Sequence, residues 1–453
     1  MAQLKDMGRI FVLICGMMFI VMGMTTIIES SFSGKITTTI SLLIGLLAVL
    51  IIPGIIIVRY VFRKEAEATA RQLQQQVQVQ QQNQVQVQPQ KMHDYASPPY
   101  EATGIFKGFY KKRTNDIYAP PSTPTYPEQA TRVHPLVGAR STLDIPGVKV
   151  LFSIFILAVV LGALCLYKGG VFSFLFPISF VVAFTFPSLM WISYVYHKDI
   201  YEPEPRRAIL TILAWGMFSV VPALFFEVLI ANVIMSRFAT ILSITVLSIV
   251  YGAIFVPIIE EFWKIAGVPA VKKEIDGELD GIIYGITAGM GFAMVENMLY
   301  ELSFLFDPTT SAAELWTMGS LARGLGSTAI HAVASGLIGY GYARYIYKEP
   351  KSITPLISMY IVAVFIHGLW NGSLTTLNAL GAEWTSLVFI VAFPILVFLI
   401  LRQFVTKSVD LDRERYKVPY TAPNPTPQPS PPPPQPQAQQ QDAPPPFEFQ
   451  REI

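Results

Sequence analysis

The side chains best suited to chemistry in this sequence are carboxylates, imidazoles and an arginine set inside long apolar runs. Four clusters stand out. "VPIIEEFWK" holds Glu260, Glu261 and Lys264, and "GFAMVENMLYE" holds Glu296 and Asn297. "LARGLGSTAIHAVASG" sets Arg323, Ser327, His331 and Ser335 at every fourth position, and "FIHGLWNG" sets His367 and Asn371 one helical turn apart. Ionisable groups in hydrocarbon are costly, are kept only with partners, and mark a functional site by default. Adjacent Glu260 and Glu261 point ~100° apart on a helix. One can therefore address a given spot while the other pairs with Lys264 a turn away. A carboxylate with two neutral imidazoles can activate water in two ways. His331, His367 and Glu261 can complete a zinc site with an open position for water. Alternatively, a glutamate acts as general base while the histidines and Asn371 stabilise the oxyanion. No H-E-x-x-H occurs, which excludes the soluble zincin arrangement.

Each cluster also has a bland reading. Glu260 and Lys264 can neutralise each other, Glu296 can end a helix at the interface, and a lone His331 can be a hydrogen-bonded core residue. The His367–Asn371 pair can be an interhelical contact worth only ~0.6 kcal/mol. Depth argues for one site instead. Glu260 lies about a dozen residues from Lys272, which at ~1.5 Å per residue is ~18 Å, and His331 lies ~16 Å from the far end of its run. Both depths fall near the middle of a ~30 Å hydrocarbon core.

The elements that must position these residues are membrane helices. The 453 residues are 52% hydrophobic and 14% charged, where soluble domains carry about 25% charged residues. Runs of roughly 20 apolar residues occur at about 10–28, 37–58, 149–167, 171–196, 208–233, 240–270, 280–303, 320–345, 354–376 and 385–404. The fold expected is an all-α, polytopic bundle of about ten spans. The first run is too long for a signal h-region and lacks an A-x-A-like cleavage site. Basic residues crowd alternate loops, for example Arg63, Lys64, Arg206, Arg207, Lys272, Lys273, Lys348 and Lys351. By the positive-inside rule this puts both termini in the cytoplasm of a cell-membrane protein. The net charge of +2 gives no basis for a nucleic-acid partner. Cys15 and Cys165 alone, both in apolar runs, make a disulfide framework and a cysteine metal site improbable.

Four segments follow. Residues 1–59 read as a membrane hairpin and 60–148 as a cytoplasmic insert, Gln/Val-rich and then Pro/Tyr-rich, expected to be disordered. Residues 149–405 form the catalytic or transporting body. Residues 406–453 form a Pro/Gln-rich extended tail, a surface for cytoplasmic partners.

The ordered series "KDIYEPEP" (Lys198 to Pro205), "AWG" (Ala214 to Gly216), Glu260-Glu261-x-x-Lys264, "DGIIYG" (Asp280 to Gly285), "GFAMVEN" (Gly291 to Asn297), the His331 stripe and His367-x-x-x-Asn371 closely resembles the PrsW family of intramembrane proteases. It is more distantly similar to the CAAX-prenyl-endopeptidase-like CPBP proteins. The resemblance covers about 150–405. It implies hydrolysis of peptide bonds in membrane-anchored substrates such as regulatory anti-sigma factors. It also implies a water-activating carboxylate in the Glu260/Glu261 pair, with His331 and His367 binding metal or stabilising the oxyanion and Asn371 in support. Lys264, Glu296, Asn297 and Arg323 are the expected supporting groups. Zinc fits the usual metal-dependent description of the family, and the CPBP likeness keeps a metal-free glutamate mechanism open. In "EPEP" the two prolines forbid regular helix, so Asp199, Glu202 and Glu204 are expected in a solvated turn.

Two other classes compete. A proton-coupled carrier also places Glu, His and Arg in its spans, but it should show repeated broken helices, and here each polar cluster occurs once. An inactive scaffold presenting the tail and insert predicts degraded site motifs, and these are intact.

Overall fold

The computed structural model describes residues 6–18, 20, 142–305 and 311–417, with isolated positions between 52 and 63. Among these residues every element is helical, and a single antiparallel bridge joins Thr142 to Pro205. Helix α1 (Val148–Lys168) stops at Gly169, whose φ of 63° suits a glycine terminator. A 3₁₀ turn (Gly170–Leu175) leads into α2 (Phe176–Tyr196), and α3 (Arg206–Phe238) begins directly after the proline-bound loop. Ser243 caps α4 (Ile244–Val250) by accepting from the Val246 amide at 3.3 Å. A π-helical turn (Tyr251–Phe255) then joins α4 to α5 (Val256–Ile265).

The central pair comes next. Helix α6 (Glu278–Leu305) is followed by α7 (Ala312–Leu321), a second π turn (Ala322–Ser327) and α8 (Thr328–Tyr347). Every residue of α8 from Thr328 to Ala343 is buried, and so is nearly all of α6. Helices apolar on all sides belong in the middle of a bundle. They approach closely because Gly281, Gly285 and Gly289 of α6 face Ser335 and Gly339 of α8; a Cβ on Gly285 would run into the Ser335 carbonyl. The Gly285/Gly289 pair noted in the sequence is thus a packing surface. Helices α9 (Thr354–Ala379) and α10 (Glu383–Lys417) complete the body.

Among the described residues, seven helices are long and apolar enough to cross a membrane, and they coincide with seven of the ten expected spans. The protein is a multi-pass membrane protein. The expected span 320–345 is occupied by the end of α7, the π turn and α8; its polar and small residues leave it outside those seven. Of the expected first hairpin, residues 6–18 are helical, with Ile10, Leu13, Ile14 and Met17 in the main core. Asp6 accepts from Arg206 Nη1 at 3.0 Å and from the Asp144 amide at 2.9 Å. This segment is therefore docked on the body rather than appended to it. Span 37–58, most of the insert and residues 418–453 lie outside the described residues. The tail expected from 406 starts later, because α10 continues to Lys417, where Arg415 pairs with Asp276 at 2.9 Å and Asp412 at 3.5 Å.

Candidate active site

Helix α5 sets the site's position. Pro257 has no amide to donate to the carbonyl of Ala253, and that carbonyl faces Gly368, where any Cβ would collide with it. Helix α9 can therefore lie close against α5, and His367, next to Gly368, reaches the glutamates. His367 Nδ1 is 2.9 Å from Glu261 Oε1, and His367 Nε2 is 3.8 Å from Glu260 Oε2. Lys264 Nζ donates to Glu260 Oε2 at 2.9 Å and to Glu261 Oε1 at 2.8 Å, and lies 2.7 Å from His331 Nδ1. Ser335 of α8 donates to Glu261 Oε2 at 3.1 Å. The two imidazoles meet edge to face with centroids 4.9 Å apart.

A second layer backs His331. Its Nε2 lies 2.7 Å from Glu296 Oε2, which is also 2.8 Å from Arg323 Nη2. Arg323 Nε donates to Asn297 Oδ1 at 3.0 Å, and Asn297 Nδ2 donates to Thr328 Oγ1 at 2.9 Å. The Arg323 guanidinium also lies 4.0 Å over the Tyr300 ring, and Lys264 Nζ lies 4.2 Å over that of Phe292. In an ideal helix eight residues turn ~800°, so Arg323 and His331 would diverge by ~80°. The wider π turn winds less per residue, and both side chains reach Glu296.

All four sequence clusters therefore converge. Glu260, Glu261, Lys264, His331 and His367 form one buried group, half-buried Glu296 joins it through His331, and Arg323 and Asn297 adjoin it. Asn371 is half-buried; among the described residues its side chain makes no bond to the cluster, and its carbonyl accepts from Thr375 at 2.8 Å. The carboxylate that converges with the histidines is Glu260 rather than the Glu261 expected as a metal ligand. Ligand atoms of Glu260, His331 and His367 lie within 4.8 Å of one another. Glu261, ~100° round the helix, is taken up by Lys264, His367 and Ser335. The donor set of one carboxylate and two imidazoles fits a zinc-type cation.

One residue escaped the sequence reading. Glu227 of α3 acts electrostatically on Glu260, Glu296 and Lys264. Its signal was a single acid in the apolar stretch "PALFFEVLIANVI". Counting it, four carboxylates face the fixed cations Lys264 and Arg323.

The "EPEP" turn departs from expectation. Asp199 and Glu204 are buried rather than solvated, and their oxygens lie within 4.8 Å of one another and of Asp280. The Tyr284 hydroxyl donates to Glu204 Oε2. Asp280 Oδ2 accepts from the amides of Asp276 at 2.9 Å and Gly277 at 2.8 Å at the start of α6. Burial, reinforced by Asp280, holds the Glu204 carboxyl well above its ordinary 4.5.

Membrane helices that bring a carboxylate, two imidazoles and a buried ion-pair network to one point define an intramembrane hydrolase. Residues 204–400 match the family model described as PrsW family intramembrane metalloprotease. Over those residues the chain is similar to that family, and it is an intramembrane protease acting on membrane-embedded protein substrates. Protease PrsW of Geobacillus kaustophilus (strain HTA426) is 26% identical over 198 residues, 43% of this chain and 78% of the relative. Protease PrsW of Shouchella clausii (strain KSM-K16) is 27% identical over 196 residues, 42% of this chain and 81% of the relative. That of Bacillus subtilis (strain 168) is 24% identical over 202 residues, 42% and 81% respectively. No solved structure matches the chain. These relatives favour neither the carrier nor the scaffold reading. The CPBP likeness stays an expectation.

Proposed function

We propose that Glu260, His331 and His367 form the water-activating centre of this protease, within a catalytic body spanning about 149–405. The observation that carries this reading is the convergence of their ligand atoms, from three different helices, within 4.8 Å. Glu260 takes the proton from the attacking water, whose oxygen bonds to the scissile carbonyl carbon. The same proton passes to the departing amide nitrogen as the C–N bond breaks, leaving a carboxylate and an amine. Glu261 is a positioning residue: accepting from His367 Nδ1, it leaves Nε2 facing the site. Glu296 positions His331 from the opposite nitrogen, contacting Nε2 and leaving Nδ1 toward Lys264 and the site, and is itself held by Arg323, with Asn297 fixing the guanidinium. Asn371, a turn along α9 from His367, is the candidate donor to the developing oxyanion.

In the alternative, zinc-dependent form Glu260, His331 and His367 would instead hold the metal, which would supply Lewis acidity toward the water and the scissile carbonyl. One observation favours the metal-free alternative. The Lys264 ammonium already contacts Glu260, Glu261 and His331 at 2.7–2.9 Å, providing a resident cation at the centre. The substrates are single-span proteins such as regulatory anti-sigma factors, cut in regulated proteolysis. Both termini are cytoplasmic, and the Pro-rich tail meets cytoplasmic partners there.

The test is cleavage of a panel of single-span substrates by purified protein, comparing wild type with Glu260→Ala, His331→Ala and His367→Ala. Loss of cleavage in all three is expected, and undiminished cleavage in them removes the assignment. Metal content and chelator sensitivity of the same preparation separate zinc from the lysine-centred mechanism.

A further inference from the structure

Hydrolysis inside a bilayer needs water at the middle of an apolar body, and one group of buried polar side chains outside the proposed centre lies toward the C-terminal end of α6. Glu301 is fully buried, and neither of its carboxylate oxygens has a hydrogen-bond partner; the hydroxyl of Ser320, fully buried on α7, has none either. The Ser320 hydroxyl approaches the Glu301 carboxyl, and Arg323 acts on it through its charge. One turn deeper, Glu296 Oε2 and Arg323 Nη2 form an ion pair at 2.8 Å. A carboxyl and a hydroxyl buried dry are costly, and hydrocarbon cannot relieve them. Here Glu301 and Ser320 continue into a stack of polar side chains. Glu301 and Asn297 lie one turn apart on α6, Ser320 and Arg323 one turn apart on the facing helix, and Glu296 touches His331.

We propose that ordered water sits between Glu301 and Ser320, and that the column from Glu301 and Ser320 through Arg323 and Asn297 to Glu296 delivers water to the catalytic cluster. Two carboxylate oxygens, a hydroxyl and a guanidinium nitrogen give a buried water the 2–4 polar partners it requires, an order-of-magnitude range of about that size being usual. The column follows α6 along its contact with α7 and the second π turn. From Leu305 to Glu296 it runs nine residues of α6, or ~13 Å. The delivery role rests on the proposed catalytic centre, whereas the water site itself does not.

The experiment uses the full chain in lipid nanodiscs, with Glu301→Leu and Ser320→Val set against Glu301→Gln and Ser320→Thr. Infrared spectra of wild type minus Glu301→Gln mark the Glu301 carboxyl band. That band is expected to exchange in D₂O within minutes, while the amides of α6 and α8 stay protonated for hours. A band that persists for hours shows a dry pair and overturns the water site. In cleavage assays Glu301→Leu is expected to lower kcat ~10-fold or more with KM unchanged, while Glu301→Gln stays near wild type. An unchanged kcat in folded Glu301→Leu overturns the delivery route. If the band exchanges while Glu260→Gln still cleaves, the water site stands and the catalytic assignment falls.

Discussion

Exchanging each of the adjacent glutamates for glutamine separates their roles. Glu260→Gln keeps the volume and a hydrogen-bonding end near Lys264 but removes the group proposed to take the proton. General acid–base contributions are typically 10²–10⁴-fold, or about 2.7–5.4 kcal/mol of activation free energy. Glu261→Gln removes a carboxylate that receives Lys264 at 2.8 Å, His367 at 2.9 Å and Ser335 at 3.1 Å. An amide oxygen can still accept from His367, so the ring keeps its orientation and loses only part of its support. Losses through such supporting partners run about 10–100-fold, or about 1.4–2.7 kcal/mol. The assay is cleavage of one purified single-span substrate under kcat and KM conditions, with folding checked by thermal unfolding. The expected order of kcat is wild type, then Glu261→Gln, then Glu260→Gln, with the last at least ~10-fold below the second. Finding Glu261→Gln dead and Glu260→Gln active would refute the assignment and make Glu261 the proton acceptor.

Lys264→Met strands two buried carboxylates, and breaking a buried pair this way costs about 3–5 kcal/mol; thermal unfolding in detergent should show a large drop in midpoint. Gly285→Ala forces α6 and α8 apart against the Ser335 carbonyl, and overpacking of this kind costs about 1–3 kcal/mol, read as a lowered midpoint with cleavage falling in parallel. Glu204 gives a pH signature. Its folded carboxyl holds its proton more tightly than the unfolded chain does. The stability it contributes is therefore complete below 4.5 and is lost as pH rises above that value through the folded one. Glu204→Gln mimics the protonated form and should flatten that decline in unfolding midpoints measured from about pH 4 to 8.

Most of the site was legible because charge in an apolar run is conspicuous. Glu260, Glu261, His331 and His367 could be grouped by depth alone, and that grouping matches the buried cluster. Depth does not fix azimuth, which is why the convergence of Glu260 instead of Glu261 with the histidines needed the actual rotation of α5. Glu227 was overlooked because one acid without a neighbouring motif carries no pattern. The burial of Asp199 and Glu204 was illegible for another reason: a proline-rich loop reads as solvated until the start of α6 is seen to cover it. Span 320–345 was recognised as a helix, but its small and polar residues encode a central packing surface rather than a lipid-facing one.

The two π turns carry a consequence for sequence length. Each acts as a one-residue insertion in a helix, one ahead of Glu260 and one between Ser320 and Thr328. Removing any single residue from Ala322–Ser327 would rotate what lies on one side by ~100° relative to the other. Arg323 and His331 would then face different neighbours although every remaining side chain was unchanged. Leu325, half-exposed on that turn, can be exchanged for another apolar residue at little cost, whereas its deletion should be silencing. Change in this domain is thus tolerated in the identity of residues at the turns and barred in their number.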